Sequence, residues 1–408
     1  MSAAAIDQAR AVRVRYDRRH MLNRWVALAI IFVTRTSMGF QFQAVAAVAP
    51  LMVADLGLTW VQLGSLIGLY MLPGAVFALP GGVLGHRFGE RRMVAGSLAL
   101  MVAGGLVTAA AHGFVAAVAG RLVSGIGAVL MNILLAKMVA DWFAGREMST
   151  AMGIMLTSWP VGLGIATATL GALATYTSWR TAIVASALVA ALGLVLIAFV
   201  YRDPPETAGR AVERRARLSG RELGLATSGG FAWGCFNASL VAIIAFGPGL
   251  LMARGATLAD AGFIVSLAIW LTMLSVPLGG FLTDRLGRPN VSIVAGSLVA
   301  AFVTLLLPAI AHSLLAFCLV GLAIGAPPGA LMALLPKAVA SERLATALGV
   351  YYTTYYVVMA AVQLAAGGVR DLFGSPAAPI LFAALVMAAT VVGFVVFRIV
   401  ERTTPRAD

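Results

Sequence analysis

Arg35 stands in FVTRTSMGFQFQ, residues 32–43, with WVALAIIFV before it and AVAAVAPLMV after it. A guanidinium in such surroundings costs at least about 2.5–3.5 kcal/mol on membrane-insertion scales and is expected to face a polar cavity. The chemistry it offers is a rigid fork of donors that matches a carboxylate or another oxyanion. Two neutral amides follow, Gln41 and Gln43. Arg35, Met38 or Gly39, and Phe42 share one helical face, with the glutamines to either side of it. One glutamine is placed to reach a cavity; the other suits a helix–helix contact. Far along the chain, GVYYTTYYVVMAAVQ sets Tyr352 and Tyr356 on one face and Tyr351 and Tyr355 on another. Hydroxyls this deep in a span can bind an anion or close a gate, and the alternative is simple helix packing.

Further candidates are weaker. Arg121, in RLVSGIG, is either a structural arginine or a second cation completing an anion site with Arg35. Trp233, Asn237 and Trp270 are polar or aromatic residues within apolar runs, where large aromatics often only pack. Asn132 suits an interhelical hydrogen bond. Arg35 itself has two readings, a substrate contact or a structural arginine bonded to a neighbouring helix or a carboxylate. The sixteen Asp and Glu all fall in loops, termini or span ends, so no buried counter-ion is expected for it. A buried unpaired charge is expensive, and an anionic substrate would supply the missing partner.

The elements that must position these residues are membrane spans. Of 408 residues 61% are hydrophobic and 11% charged, with a mean hydropathy of +0.95. Soluble domains are nearer half apolar and a quarter charged. Twelve apolar runs are each long enough to cross a hydrocarbon core of about 30 Å, from about 25–50 to about 377–398. Arg35 lies about 15 Å deep when counted from Trp25 at 1.5 Å per residue, near the midplane. The net charge of +13 does not signal nucleic-acid binding, because the basic residues sit in short loops. Arg35 and Arg121 lie within spans, and Arg180, Arg254 and Arg370 alone fall in the loops opposite the termini. That bias predicts a multi-pass protein of the inner (plasma) membrane with both termini cytoplasmic.

No enzyme is expected. His20, His86, His112 and His312 are scattered at span edges or outside spans, and no phosphate-binding loop for ATP is present. Cys235 and Cys318 read as small buried hydrophobes. No cofactor or metal is implied. The expected partners are a small anionic substrate and the lipid bilayer, with a monomer as the working unit.

The chain repeats itself. GVLGHRFGERR (82–92) is echoed by GFLTDRLGRPN (280–290), STAMGI (149–154) by ATALGV (345–350), and Lys137 in AKMVA by Lys337 in PKAVA. Two six-span halves follow. The predicted division is a cytoplasmic segment 1–24, a bundle 25–201, a linker 202–222, a second bundle 223–398 and a tail 399–408.

The paired loops resemble the G-x-x-x-D-R-x-G-R signature of the major facilitator superfamily. RLVSGIG (121–127) resembles that family's span-4 pattern, and WPVGLG (159–164) its Gly/Pro-rich span-5 motif. Within the family, TRTSMGFQFQAVAAVAP with DLGLT and IGLYMLPGAVFALPGG looks most like cyanate- and nitroimidazole-type permeases of small anions. The resemblance implies an all-α membrane fold of twelve helices in two pseudo-symmetric six-helix bundles. It also implies alternating access, with Arg87, Arg91, Asp284, Arg285 and Arg288 of the signature loops as gating residues. His86 and Glu90 depart from the signature, which weakens the charge contact expected of the first loop. The function expected is secondary transport of a small organic or inorganic anion; the alternative is export of neutral hydrophobic compounds or drugs.

Overall fold

The computed structural model describes residues 3–77, 88–143, 147–203 and 217–403, with side chains from Arg24 onward apart from those of 149 and 341. Arg87 and His86, most of the predicted linker and the end of the tail lie outside the described residues. Every described regular element is helical. Twelve helices are long and apolar enough to span a membrane. They are α1 (Arg24–Ala47), α2 (Trp60–Phe77), α3 (Glu90–Ala109), α4 (Phe114–Trp142), α5 (Thr150–Tyr176) and α6 (Trp179–Val200) in the first half. In the second half they are α7 (Gly220–Met252), α8 (Leu258–Leu286), α9 (Pro289–Ala309), α10 (Ser313–Ala338), α11 (Glu342–Phe373) and α12 (Ala378–Thr403). An even number of crossings puts both chain ends on one face, called here the termini face.

Packing follows the repeat. In the first half α3 lies on α4, and α1 lies between α5 and α6; in the second α7 lies between α11 and α12, and α9 against α12. The halves meet through α2 on α11 and α5 on α8, the same pair exchanged by the repeat. With no hydrophobic drive between helices in lipid, close backbone approach does the joining. A Cβ on Gly64 would lie 2.2 Å from the carbonyl oxygen of Gln363, and one on Gly74 would lie 2.3 Å from the Tyr356 ring. The small residues of α2 thus form the trough into which α11 settles.

These contacts run from the loop end of α2 inward. Trp60 and Val61 meet Asp371, and the deepest hydrogen bond joins the Thr353 hydroxyl to the carbonyl of Ala75 at 3.2 Å. The halves are therefore closed together from the face opposite the termini down to the level of the tyrosines. On the first half of that face, Asp55 accepts from the Trp179 indole at 2.9 Å and Arg180 at 2.6 Å. These two bonds hold the Asp55 carboxyl below the usual carboxylate range. Asp55, in the short helix Ala49–Leu56 that follows α1, thus latches this loop region to the start of α6.

Candidate functional site

Arg35 lies halfway along α1 and is 8% exposed. Its Nε donates to Asn132 Oδ1 of α4 at 2.8 Å. Its Nη1 reaches α5, with the carbonyls of Met155 and Leu156 at 3.1 and 3.3 Å and the Ser158 hydroxyl at 3.1 Å. The sequence explains why a carbonyl waits there. Pro160 sits inside α5 and has no N–H, so the Leu156 carbonyl four residues earlier lacks its helical donor. Arg35 fills that vacancy, as neighbouring groups must where proline interrupts a membrane helix. A guanidinium has five N–H donors. Those of Nη2 have no hydrogen-bond partner among the described residues, and every partner of the other donors is neutral.

The tyrosines of α11 complete the neighbourhood from the other half. Tyr352, Tyr355 and Tyr356 all lie within electrostatic reach of the Arg35 guanidinium, and Asn132 lies beside Tyr356. The rings form one cluster, with centroids of Tyr355 and Tyr356 5.0 Å apart and of Tyr352 and Tyr355 6.1 Å apart. Gly74 of α2 leaves the space that the Tyr356 ring occupies. Residues far apart in sequence thus meet at midspan, where the closed part of the interface ends.

The other candidates lie elsewhere. Gln41 donates to the Met101 carbonyl of α3 at 2.9 Å and accepts from Tyr70 at 3.3 Å, so it is the helix–helix glutamine. Gln43 is 1% exposed and its Nε2 has no partner among the described residues. Of its two expected roles, Arg121 has the surroundings of the structural one. It is 2% exposed and donates to the carbonyls of Leu66, Gln41 and Phe42 at 2.8, 3.0 and 3.2 Å. It also sits over the Tyr70 ring at 4.3 Å. Its guanidinium ties α1, α2 and α4 of one half together. Trp270 packs on Gly164 where α8 crosses α5, Trp233 stacks on Phe236, and Asn237 donates to the Trp233 carbonyl of its own helix at 2.9 Å. None of these three has a recorded contact with Arg35.

The signature loops also differ from expectation. Arg91 donates to the Ile197 and Ala198 carbonyls at the widened end of α6, so its partners lie in its own half. Asp284, Arg285 and Arg288 are exposed, and Asp284 lines a charged cavity of roughly 280 Å³ with Lys337, Arg398 and Glu401. Glu90, the departure from the signature, pairs with Lys137, the lysine that the repeat matches with Lys337. The substitution is therefore answered within the first half. Ser158 and Asp371 were not singled out from the sequence. Ser158 could have been found as the hydroxyl two residues before Pro160, and Asp371 as the acid ending a span after Arg370.

Comparison with known proteins fits this architecture. The model of a family described as Major Facilitator Superfamily matches residues 31–254 and again 225–408. The chain belongs to the Major Facilitator Superfamily. With its twelve helices long and apolar enough to cross a membrane, it is a multi-pass membrane protein of that superfamily. It is similar to the hexuronate transporter of Bacillus subtilis (strain 168), 24% identical over 59% of this chain and 60% of that protein. It is also similar to two proteins of Escherichia coli (strain K12). One is a probable L-galactonate transporter, 24% identical over 66% of this chain and 65% of that protein. The other is a 3-(3-hydroxy-phenyl)propionate transporter, 27% identical over 71% and 72%. The matches thus span less than two thirds of the first two relatives. Among solved structures, a D-xylose–proton symporter superposes with a TM-score of 0.75 at 15% identity, covering 94% of this chain and 98% of its own. A bacterial homologue of the human lysosomal transporter Spinster gives 0.74 at 16% identity, covering 94% and 97%. At these identities the structures establish the superfamily fold.

Proposed function

We propose that this superfamily member moves a small organic anion across the inner membrane by alternating access, with Arg35 as the anion contact. The observation that carries the reading is the unpartnered Nη2 of a midspan arginine whose other partners are all neutral. One oxygen of a carboxylate suits Nη2, and the second suits a hydroxyl of the tyrosine cluster. The named relatives add support, since a hexuronate, a galactonate and an aryl propionate are all carboxylates. The narrower likeness to cyanate- and nitroimidazole-type permeases favours smaller anions and shares the same requirement for a cation. In this reading 25–201 and 223–398 are the moving halves, 202–222 links them, and the termini face is cytoplasmic, as the loop arginines argue. Asp284, Arg285 and Arg288 then meet partners only when that face closes. The aromatic cluster supports a second reading, export of neutral aromatic compounds.

A thermal-shift screen of purified protein separates the two. The probes are D-glucuronate, L-galactonate, 3-(3-hydroxyphenyl)propionate, cyanate and nitrate, each beside the neutral amide or alcohol of similar shape where one exists. A carboxylate or small anion is expected to stabilise the wild type and not Arg35→Ala. Equal stabilisation of both proteins removes Arg35 as the ligand, and stabilisation by neutral compounds alone establishes the second reading.

A further inference from the structure

We infer that this transporter is an obligate anion exchanger, because its halves cannot close over an empty Arg35. The inference rests on Arg35 as the anion contact. The groups around the guanidinium are Asn132 of α4, Ser158 and carbonyls of α5, and Tyr352, Tyr355 and Tyr356 of α11. None carries charge at physiological pH, since phenols ionise only near pH 10. The acidic residues of the described spans stand in first or last turns, from Glu90 and Asp141 to Asp371 and Glu401, out of reach of midspan. No group on the described spans can take a proton beside Arg35 and reset its charge.

Arg121 differs in the one respect that matters. All three of its carbonyl acceptors belong to its own half, so its surroundings are the same in any arrangement of the two halves. Arg35 instead faces α11 of the other half, and its hydration changes whenever the halves rock. When the site is open, water can serve the two Nη2 donors. When both faces close around it, that water is lost and no negatively charged residue among those described is there to replace it. A bound monoanion supplies both the charge and the acceptors, so the loaded carrier crosses the closed state as a neutral site. The empty carrier crosses with a bare buried cation, the situation that raises the energy most. Return of the carrier therefore requires a second anion from the other side.

The test uses the purified full chain in liposomes loaded with labelled 3-(3-hydroxyphenyl)propionate or labelled D-glucuronate, with the membrane potential clamped at zero. Loss of label is followed into medium with and without the same unlabelled anion. Exchange is expected to exceed net efflux by at least about a hundredfold, equivalent to about 2.7 kcal/mol in the closed state. Net efflux as fast as exchange overturns the inference and leaves the anion site standing. If neither probe binds in a thermal shift nor moves in either mode, the anion site itself falls and the inference with it. Asn132→Asp sets a fixed carboxylate beside Nε and is expected to raise net efflux relative to exchange by at least about tenfold, whereas Asn132→Leu is not. An Asn132→Asp protein that still exchanges at the wild-type ratio overturns the charge explanation.

Discussion

At the scale of single residues, the two buried arginines divide by what their donors already hold. Arg121 spends its donors on three carbonyls, so Arg121→Gln leaves acceptors unsatisfied at about 1–3 kcal/mol each. A clear fall in melting temperature is expected, with the affinity of the surviving protein for anions unchanged within a few-fold. A hundredfold loss of affinity at normal stability would make Arg121 a ligand after all. Tyr355→Phe and Tyr356→Phe keep the ring cluster and remove one hydroxyl each. A hydrogen bond to a charged group contributes about 1.5–3 kcal/mol, so whichever hydroxyl meets the anion should show a loss of about ten- to a hundredfold in affinity. Titration of both variants with the best anion of the screen decides between them, and no loss in either removes the tyrosines from the site. The types and depth of Arg35 and of the tyrosines were legible in the sequence, because their cost in a span is a one-dimensional property. Their partners were not. Asn132 and Ser158 lie 97 and 123 residues from Arg35, and nothing local signals that pairing. Gln41 and Gln43 show the same limit, since side-chain direction on α1 has meaning only once α3 and α5 are in place.

At the scale of elements, the twelve spans were legible because hydrophobic length is a local quantity, and each predicted run corresponds to a helix. What the sequence hid was how the runs are joined and interrupted. WPVGLG reads as a Gly/Pro-rich motif, and its consequence, a free Leu156 carbonyl caught by α1, needs the packed helices to be seen. The trough on α2 makes a direct prediction. Leu at Gly68 would push a Cβ to 2.6 Å from the Ala360 carbonyl oxygen, a backbone atom that cannot swing aside. Gly68→Leu should force α2 and α11 apart and raise the reactivity of cysteines placed along α11 above Tyr356 toward an impermeant thiol reagent. Unchanged reactivity would mean the helices tolerate the bulk and do not gate. A gentler prediction concerns the loop latch. The Asp55 carboxyl ionises below its ordinary value of about 3.9, so its stabilising contribution is present at neutral pH and is lost as pH falls through and below 4. Asp55→Asn should flatten the melting-temperature profile in that range; a profile parallel to wild type would show the latch to be energetically silent.

At the scale of the whole molecule, one acid spans the two halves at the closed face. Asp371, near the end of α11, accepts from the Trp60 and Val61 backbone N–H groups at 3.0 and 2.8 Å, so it caps the start of α2 from the opposite half. The first amides of a helix lack partners within it, and a carboxylate there also meets the positive end of the helix dipole. Beside it Arg370 stacks over the Trp60 ring at 4.9 Å. The bond is exposed, so its worth lies toward the low end for charged acceptors, about 1.5 kcal/mol. That is about a tenfold change in an equilibrium between closed and open arrangements of this face. Asp371→Ala removes both acceptors and the charge, while Asp371→Asn keeps one acceptor. Spin labels at Thr177→Cys and Ala253→Cys, with Cys235 and Cys318 replaced by alanine, report the separation of the two halves on this face. Asp371→Ala is expected to shift the distance distribution toward the longer population by about tenfold, and Asp371→Asn by less. Melting temperature should move little, because each half keeps its own packing. If both variants keep the wild-type distribution, the cap is only a helix end, and the hold on this face resides in the trough where α11 lies on α2.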